Sequence, residues 1–216
     1  MGAHVDTELL QTWITGWSAC RGVQPHDDGA STFVVTTDPQ EQTEHFVLEP
    51  STEQFLELAR ETKADPRRVL TVVTSRMQDL LDAADPLGMR VTDRQQSLMS
   101  ADMHGQDVED PRPPSEDFVL ERSEEAPCRH VSVRVGEELA ARGSVSVVGD
   151  YAVYDRIITE EQFRRRGLAS FVMRALTAGV LTDDVTTGLL MASADGRALY
   201  EFLGWQHLAD VFVIRG

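Results

Sequence analysis

Cysteine is scarce in this chain. Two cysteines, Cys20 and Cys128, stand far apart in 216 residues and neither has a CxxC companion, so the spacing spells out no disulfide framework and no zinc knuckle. The expectation is two reduced thiols in a cytoplasmic protein. The histidines His4, His26, His45, His104, His130 and His207 show no HxxxH-type spacing, which leaves no metal set to read. No apolar run approaches the ~18 residues of a membrane helix. The start Met1-Gly2-Ala3-His4-Val5-Asp6 lacks the basic and apolar regions of a secretory signal, and Asp6 breaks the myristoylation pattern. Positive charge is short as well. Lys plus Arg total 20 against 36 Asp plus Glu, a formal net charge of −16. Binding nucleic acid non-specifically requires cationic surface to neutralise phosphate, and docking on anionic lipid requires the same, so neither nucleic acid nor membrane is expected as a partner.

What remains is ordinary for a globular chain: 41% apolar and 26% charged residues. The length allows one large or two small domains. Leu10, Trp13, Ile14 and Trp17 fall at i, i+3, i+4 and i+7, the apolar stripe of a helix that Asp6 or Thr7 can cap and Gly22 can end. Short strand-like runs follow at 32–37 and 45–48, with Pro39 between them. Ser51-Thr52-Glu53-Gln54 reads as a capping box opening a helix through about Lys63. Residues 69–74 read as a buried strand, 76–84 as a short helix, and 89–99 as a strand or hairpin. Residues 104–117 carry three prolines and five acids, too polar for a core, and read as a linker. They divide the chain into 1–103, the linker, and 118–216. In the second part the alternation at 131–135, then 143–148 and 151–159 around the turn Gly149-Asp150, predicts strands. A helix over 166–178, a strand at 188–192, a helix over 195–203 and a last strand at 211–214 complete an α/β pattern.

The chemistry-bearing stretch runs from Ile157 to Ala169, where a strand leads through a tight turn into a helix. Arg164, Gly167 and Ala169 sit on that turn. Small residues let backbone approach a ligand closely, and the unpaired amides of a first helical turn suit a diphosphate. Three arginines, Arg164, Arg165 and Arg166, oppose the helix dipole, an arrangement that makes sense if an anion sits among them. Leu199-Tyr200-Glu201-Phe202-Leu203-Gly204-Trp205 lies on the last helix, after a strand ending at Ala192-Ser193.

With both motifs in order, residues 118–216 resemble the GNAT superfamily of acyl-CoA-dependent N-acyltransferases. Its first signature, Q/R-x-x-G-x-G/A, is matched by Arg164, Gly167 and Ala169, and its second, L-Y-x-x-L-G-F/W, by Leu199, Tyr200, Leu203, Gly204 and Trp205. Two positions depart from it: Glu161 stands where the family often has Pro, and Ser193 where it often has Asn. The resemblance implies a mixed, mostly antiparallel sheet flanked by helices, and acetyl-CoA as cosubstrate. It implies that Ile157, Ile158 and Thr159 offer backbone to pantetheine, and that the segment around Arg164, Arg165, Arg166, Gly167, Leu168, Ala169 and Ser170 holds the diphosphate, with Ser193 on the cofactor side. It implies Tyr200 as the acid for the departing thiolate and a small-molecule or peptide amine as acceptor. Asp155, Glu160 and Glu161 are carboxylates nearby in sequence, none of them singled out as a base. A non-catalytic acyl-CoA sensor or partner subunit is the alternative of another class. The family's last strand often mediates dimers, so a homodimer is also implied. Strand, helix, Leu87-Gly88-Met89 and strand in the first part echo the end of the chain, which suggests a tandem, degenerate copy with Ala84 at the place of Tyr200.

Overall fold

Asp6 accepts a hydrogen bond from the Leu9 amide at 2.9 Å and so caps the first helix, α1 (Thr7–Ala19). The computed structural model describes residues 5–26, 33–36, 42–106, 108, 111–181 and 184–216, with backbone alone at 34–36; Thr32, Thr37 and Pro39 lie outside the described residues. After α1 come β1 (Pro25–His26), β2 (Phe33–Thr36), β3 (Thr43–Leu48), α2 (Thr52–Ala64), β4 (Arg68–Thr74), α3 (Met77–Ala84) and β5 (Arg90–Asp102). The second part holds β6 (Val119–Glu125), β7 (Cys128–Val135), β8 (Glu138–Val148), β9 (Tyr151–Thr159), α4 (Leu168–Val180), β10 (Thr187–Ala192), α5 (Ala194–Phe202) and β11 (Gln206–Arg215). The capping box works as its sequence promises, with Ser51 Oγ accepting from the Gln54 amide at 3.1 Å.

All eleven strands join one sheet in the order β1-β2-β3-β4-β11-β5-β10-β9-β8-β7-β6. The same unit occurs in each part: a parallel pair with a helix between its strands (β3-α2-β4 and β9-α4-β10), then a second helix and a last strand. The last strands are exchanged. β11 lies between β4 and β5, and β5 lies between β11 and β10, every contact antiparallel. Each part therefore completes the sheet of the other. Because β11 has both edges paired within the chain, those edges are not open to a second copy.

Alternation along the strands separates two faces. Phe46, Val73, Leu98, Val153 and Val211 pack with Leu10, Trp13 and Trp17 of α1 on one face. On the other face Val47, Val72 and Phe212 pack under α2 and α3, and Met99, Ala152, Tyr154 and Leu190 pack under α4 and Tyr200 of α5. At a point of close approach, a Cβ on Gly16 would meet Ser146 Oγ and Val153 at 2.6 Å, so glycine lets α1 settle onto β8 and β9.

One expectation is corrected. Cys20 and Cys128 are not free thiols but a disulfide across 108 positions, tying the end of α1 to β7. Spacing along the chain carries no record of such a meeting in space. Of the strand or hairpin expected at 89–99, the structure has the strand, β5, which begins at Arg90 and runs on to Asp102. The sequence carries no clear signal for β6, because this edge strand is almost wholly exposed and rich in glutamate, and charge is how exposed sheet edges resist unwanted pairing.

Candidate functional site

β9 and β10 run in parallel from Thr187 opposite Tyr151 to Leu190 opposite Tyr154, and there their pairing stops. Beyond that point Met191 and Ala192 stay with β5, and residues 155–159 stay with β8. One edge of residues 155–159 is thereby left without a strand partner among the described residues. β9 is held on both faces where the strands part. The Tyr154 hydroxyl and Thr177 Oγ1 of α4 share a hydrogen bond of 2.8 Å. On the opposite face Arg21, at the end of α1, donates to both oxygens of Asp155 at 2.8 and 2.9 Å. Asp155 is thus engaged, which removes it as a free base.

The turn between β9 and α4 presents the next part of the site. Arg165 (φ +62°) and Gly167 (φ +77°) are both left-handed. That conformation is natural for glycine and costs an arginine about 1 kcal/mol. Gly167 is the N-cap of α4, and no side chain caps this helix. α1, α2 and α5 are capped instead by Asp6, Ser51 and Ser193. The first-turn amides of α4 are therefore unpaired donors at the positive end of the dipole. From the segment between the two parts, Pro114 comes within 3.8 Å of where a Gly167 Cβ would be.

The gap and the turn open into one cavity of about 500 Å³, within the size range of small-molecule sites. It is lined by Ile157, Ile158 and Thr159 of β9, by Arg164, Arg165, Gly167, Leu168, Ala169 and Ser170 at the turn, and by Ser193 and Tyr200 of the α5 region. The structure thus gathers the sequence-selected residues in one place, except Arg166, whose guanidinium lies over the Phe163 ring at 5.5 Å. Thr159 Oγ1 is buried without a partner among the described residues, and the Thr159 carbonyl accepts from Arg164 Nε at 3.5 Å. Glu161 lies in the short 3-10 turn before Arg164, and Glu160 precedes it; neither lines the cavity. Sequence reasoning missed Asp195, Gly196 and Leu199, which also line it. The i, i+4 spacing of Gly196 from Tyr200 is a signal that finds one of them.

Tyr200 is buried, and burial pushes its phenol up to about 12. Its ring packs on Trp205 with centroids 6.0 Å apart, and Trp205 meets Tyr154 edge-on at 5.4 Å. Gly204 ends α5 in the left-handed conformation, at φ +86°. Gly188 of β10 makes room for Trp205, since a Cβ there would stand 2.7 Å from the indole. The second motif is therefore a helix end that fixes the position of the tyrosine.

The corresponding place in the first part is closed. β3 and β4 stay paired along the whole of β3, to Leu48 opposite Val73. The Glu49 carboxylate then joins the two strand ends, accepting from the Ser75 amide at 2.6 Å and Thr74 Oγ1 at 2.9 Å. Burial raises the Glu49 pKa, but these hydrogen bonds and the Arg76 charge outweigh it and hold the carboxyl below its ordinary value.

The family model described as FR47-like protein, which is GNAT-related, matches residues 149–213. The fold is that of the GNAT superfamily. A GCN5-related N-acetyltransferase from Kribbella flavida is similar over 98% of this chain and 95% of its own, at 13% identity and a TM-score of 0.67. A GCN5-related N-acetyltransferase-like protein from Streptococcus suis 89/1591 is similar over 93% and 92%, at 14% identity and TM-score 0.56. A tandem GNAT protein from the clavulanic acid biosynthesis pathway is similar over 76% and 68%, at 16% identity and TM-score 0.52. No curated protein matches the chain in sequence. In this GNAT fold, no described helix is long and apolar enough to cross a membrane.

Proposed function

We propose that this protein is an N-acetyltransferase that moves an acetyl group from acetyl-CoA to a primary amine of a small molecule or peptide. The GNAT fold supports N-acyltransferase chemistry in general. The observation that carries the finer reading is the free edge of residues 155–159 meeting the uncapped N-terminus of α4 and the Tyr200 phenol in one cavity. Amides of the α4 turn, with Arg164 and Arg165, bind the diphosphate of CoA. The free edge of β9 hydrogen-bonds pantetheine, and a β9 amide stabilises the oxyanion formed when the amine attacks the thioester carbonyl. The amine nitrogen then gives up its extra proton to water, the carbon–sulfur bond breaks to leave amide and thiolate, and Tyr200 donates a hydrogen bond to the departing sulfur. The orphaned Thr159 Oγ1 is a further polar partner for the cosubstrate.

The first part repeats the unit without its opening, and we read it as a degenerate tandem copy. Ser51 caps α2, Glu53 sits in its first turn, and Glu49 joins the strand ends, all of which would repel or exclude a diphosphate. Its roles are to complete the sheet through β5 and to carry α1 across the other face. Dependence on acyl-CoA favours a cytoplasmic place of action, and the Cys20–Cys128 disulfide is the feature that pulls the other way.

The test is calorimetry with CoA followed by thiol release from acetyl-CoA across a panel of amines. Uptake of CoA with turnover of at least one amine is expected. No uptake of CoA removes the reading, and uptake with no turnover on any amine replaces it with an acyl-CoA sensor.

A further inference from the structure

The sheet face that carries α1 continues outward beyond that helix, over β6 to β9. Register sets Ser123, His130, Ser144 and Asp155 side by side in one row, and Glu121, Ser132, Arg142 and Ile158 in the next. Over these rows lies a second cavity, of about 390 Å³, whose lining includes Arg122, Arg142 and Arg156. In a chain of net charge −16, that is a local reversal of sign. The single carboxylate in the lining, Glu121, is already engaged by Arg134 Nε and Ser132 Oγ, both at 3.1 Å. Arg122 and Arg142 have no ion-pair partner among the described residues. His130 Nδ1 is fixed on Ser144 Oγ at 2.8 Å, which turns the other ring nitrogen to the role of ligand donor or acceptor. Arg156 Nε stands 4.0 Å from Asp155, whose two oxygens Arg21 already holds, so the three arginines share little counter-charge, and grouped cations of this kind are stabilised by an anion.

The basin is coupled to the acyl cavity through a bulge in β9. Arg142 faces Ile158 and Ser144 faces Asp155, so the single residue Gly143 stands against two, Arg156 and Ile157. Arg156 has φ +54°, a conformation an arginine adopts at some cost. The bulge breaks the alternation, so that Arg156 stays on the side of Asp155 and Ser144 and lines the basin, while Ile157 turns to the other side and lines the acyl site. A Cβ on Gly143 would strike Ile157 at 2.5 Å, and glycine is what admits that inward turn. The free edge of residues 155–159 lies between the two cavities, and the width of a strand is only about 5 Å.

We infer that this basin binds the anionic group of the acceptor, so that the acceptors are primary amines carrying a carboxylate or a phosphate. The inference rests on the acyltransferase reading and adds the substrate class to it. Arg142 and Arg156 hold the anion while His130 supplies a neutral or charged hydrogen bond. The amine, on the other end of the molecule, passes through the gap between β9 and β10 to the thioester. The acidic surface elsewhere attracts the ammonium end of such a zwitterion.

Two matched pairs test this with acetyl-CoA as donor: β-alanine against propylamine for a carboxylate, and phosphoethanolamine against ethanolamine for a phosphate. In at least one pair kcat/KM should favour the anionic member, and Arg142→Gln, a change on an exposed side chain, should lower that preference by about tenfold or more. The pair that responds identifies the group. A preference near one in both pairs, or one unmoved by Arg142→Gln, overturns the inference. Should none of these amines turn over, the CoA-saturated protein is titrated with inorganic phosphate and with acetate, reading the His130 imidazole by NMR. A shift that Arg142→Gln abolishes upholds the anion site, and its absence overturns it. CoA uptake, measured separately by calorimetry, reports on the acyltransferase reading alone.

Discussion

Removing one oxygen from Tyr200 distinguishes two ways in which the phenol can assist a departing thiolate. In full general-acid catalysis the proton moves to sulfur. Burial pushes Tyr200 up to about 12, whereas an ordinary thiol lies near 8.5, roughly 3.5 units lower. Complete transfer would then be uphill by about 5 kcal/mol at 1.36 kcal/mol per unit. In the proposed reaction a phenol held so firmly protonated would serve instead as a hydrogen-bond donor to the developing thiolate. Hydrogen bonds to a charged group contribute about 1.5–3 kcal/mol, equivalent to a factor of roughly 10–100 in rate. Tyr200→Phe should therefore lower kcat by about 10–100-fold, with CoA affinity unchanged. Because the group stays protonated, the wild-type rate should show no basic limb from Tyr200 below about pH 10. The assay is continuous thiol release from acetyl-CoA between pH 6 and 10, with calorimetry on both proteins. A loss below twofold with intact CoA binding would refute the role of the hydroxyl, and a loss above about 10⁴ would restore the full acid.

Gly196→Ala should mimic that loss without touching the hydroxyl, since its Cβ would stand 3.1 Å from Tyr200 Cε2 and 3.3 Å from Ser193 Oγ; a thermal melt beside the thiol assay separates a displaced ring from a lost fold. Replacing both Cys20 and Cys128 by Ser opens a loop closed across 108 positions and should cost up to about 4.7 kcal/mol by chain entropy, read by denaturant unfolding against the oxidised protein. Alkaline pH should also destabilise the protein. Tyr200 is raised from 10 to about 12, so its contribution is intact below pH 10 and disappears as pH climbs toward 12, roughly 3 kcal/mol for two units; Tyr154, raised mainly by burial, acts in the same direction. Unfolding midpoints that stay level from pH 9.5 to 11.5 would contradict that burial.

Local signals in the chain set the local structure. The stripe of Leu10, Trp13, Ile14 and Trp17 became the buried side of α1, Ser51 capped α2, and Gly149-Asp150 joined β8 to β9, because hydrophobic period, caps and turns act within a few residues. The cavity was legible for the same reason. Its turn lies within residues 157–170, and the rest comes from α5, whose Leu199-Tyr200 and Leu203-Gly204-Trp205 set a helix end. Other features depend on which surfaces meet. Period tells a strand which face is apolar but not which strand lies beside it, so the exchange of β5 and β11 was not readable, nor was the meeting of Cys20 with Cys128. The parting of β9 from β10 after Tyr154 and the gathering of Arg122, Arg142 and Arg156 around His130 also arise from register between distant segments. The sequence by itself determined an arginine-rich strand-to-helix turn and a tyrosine placed by a helix end; the tertiary structure alone decided that an unpaired strand edge stands between them and that a cationic basin lies on its far side, because pairing partners are selected by packing across the whole sheet.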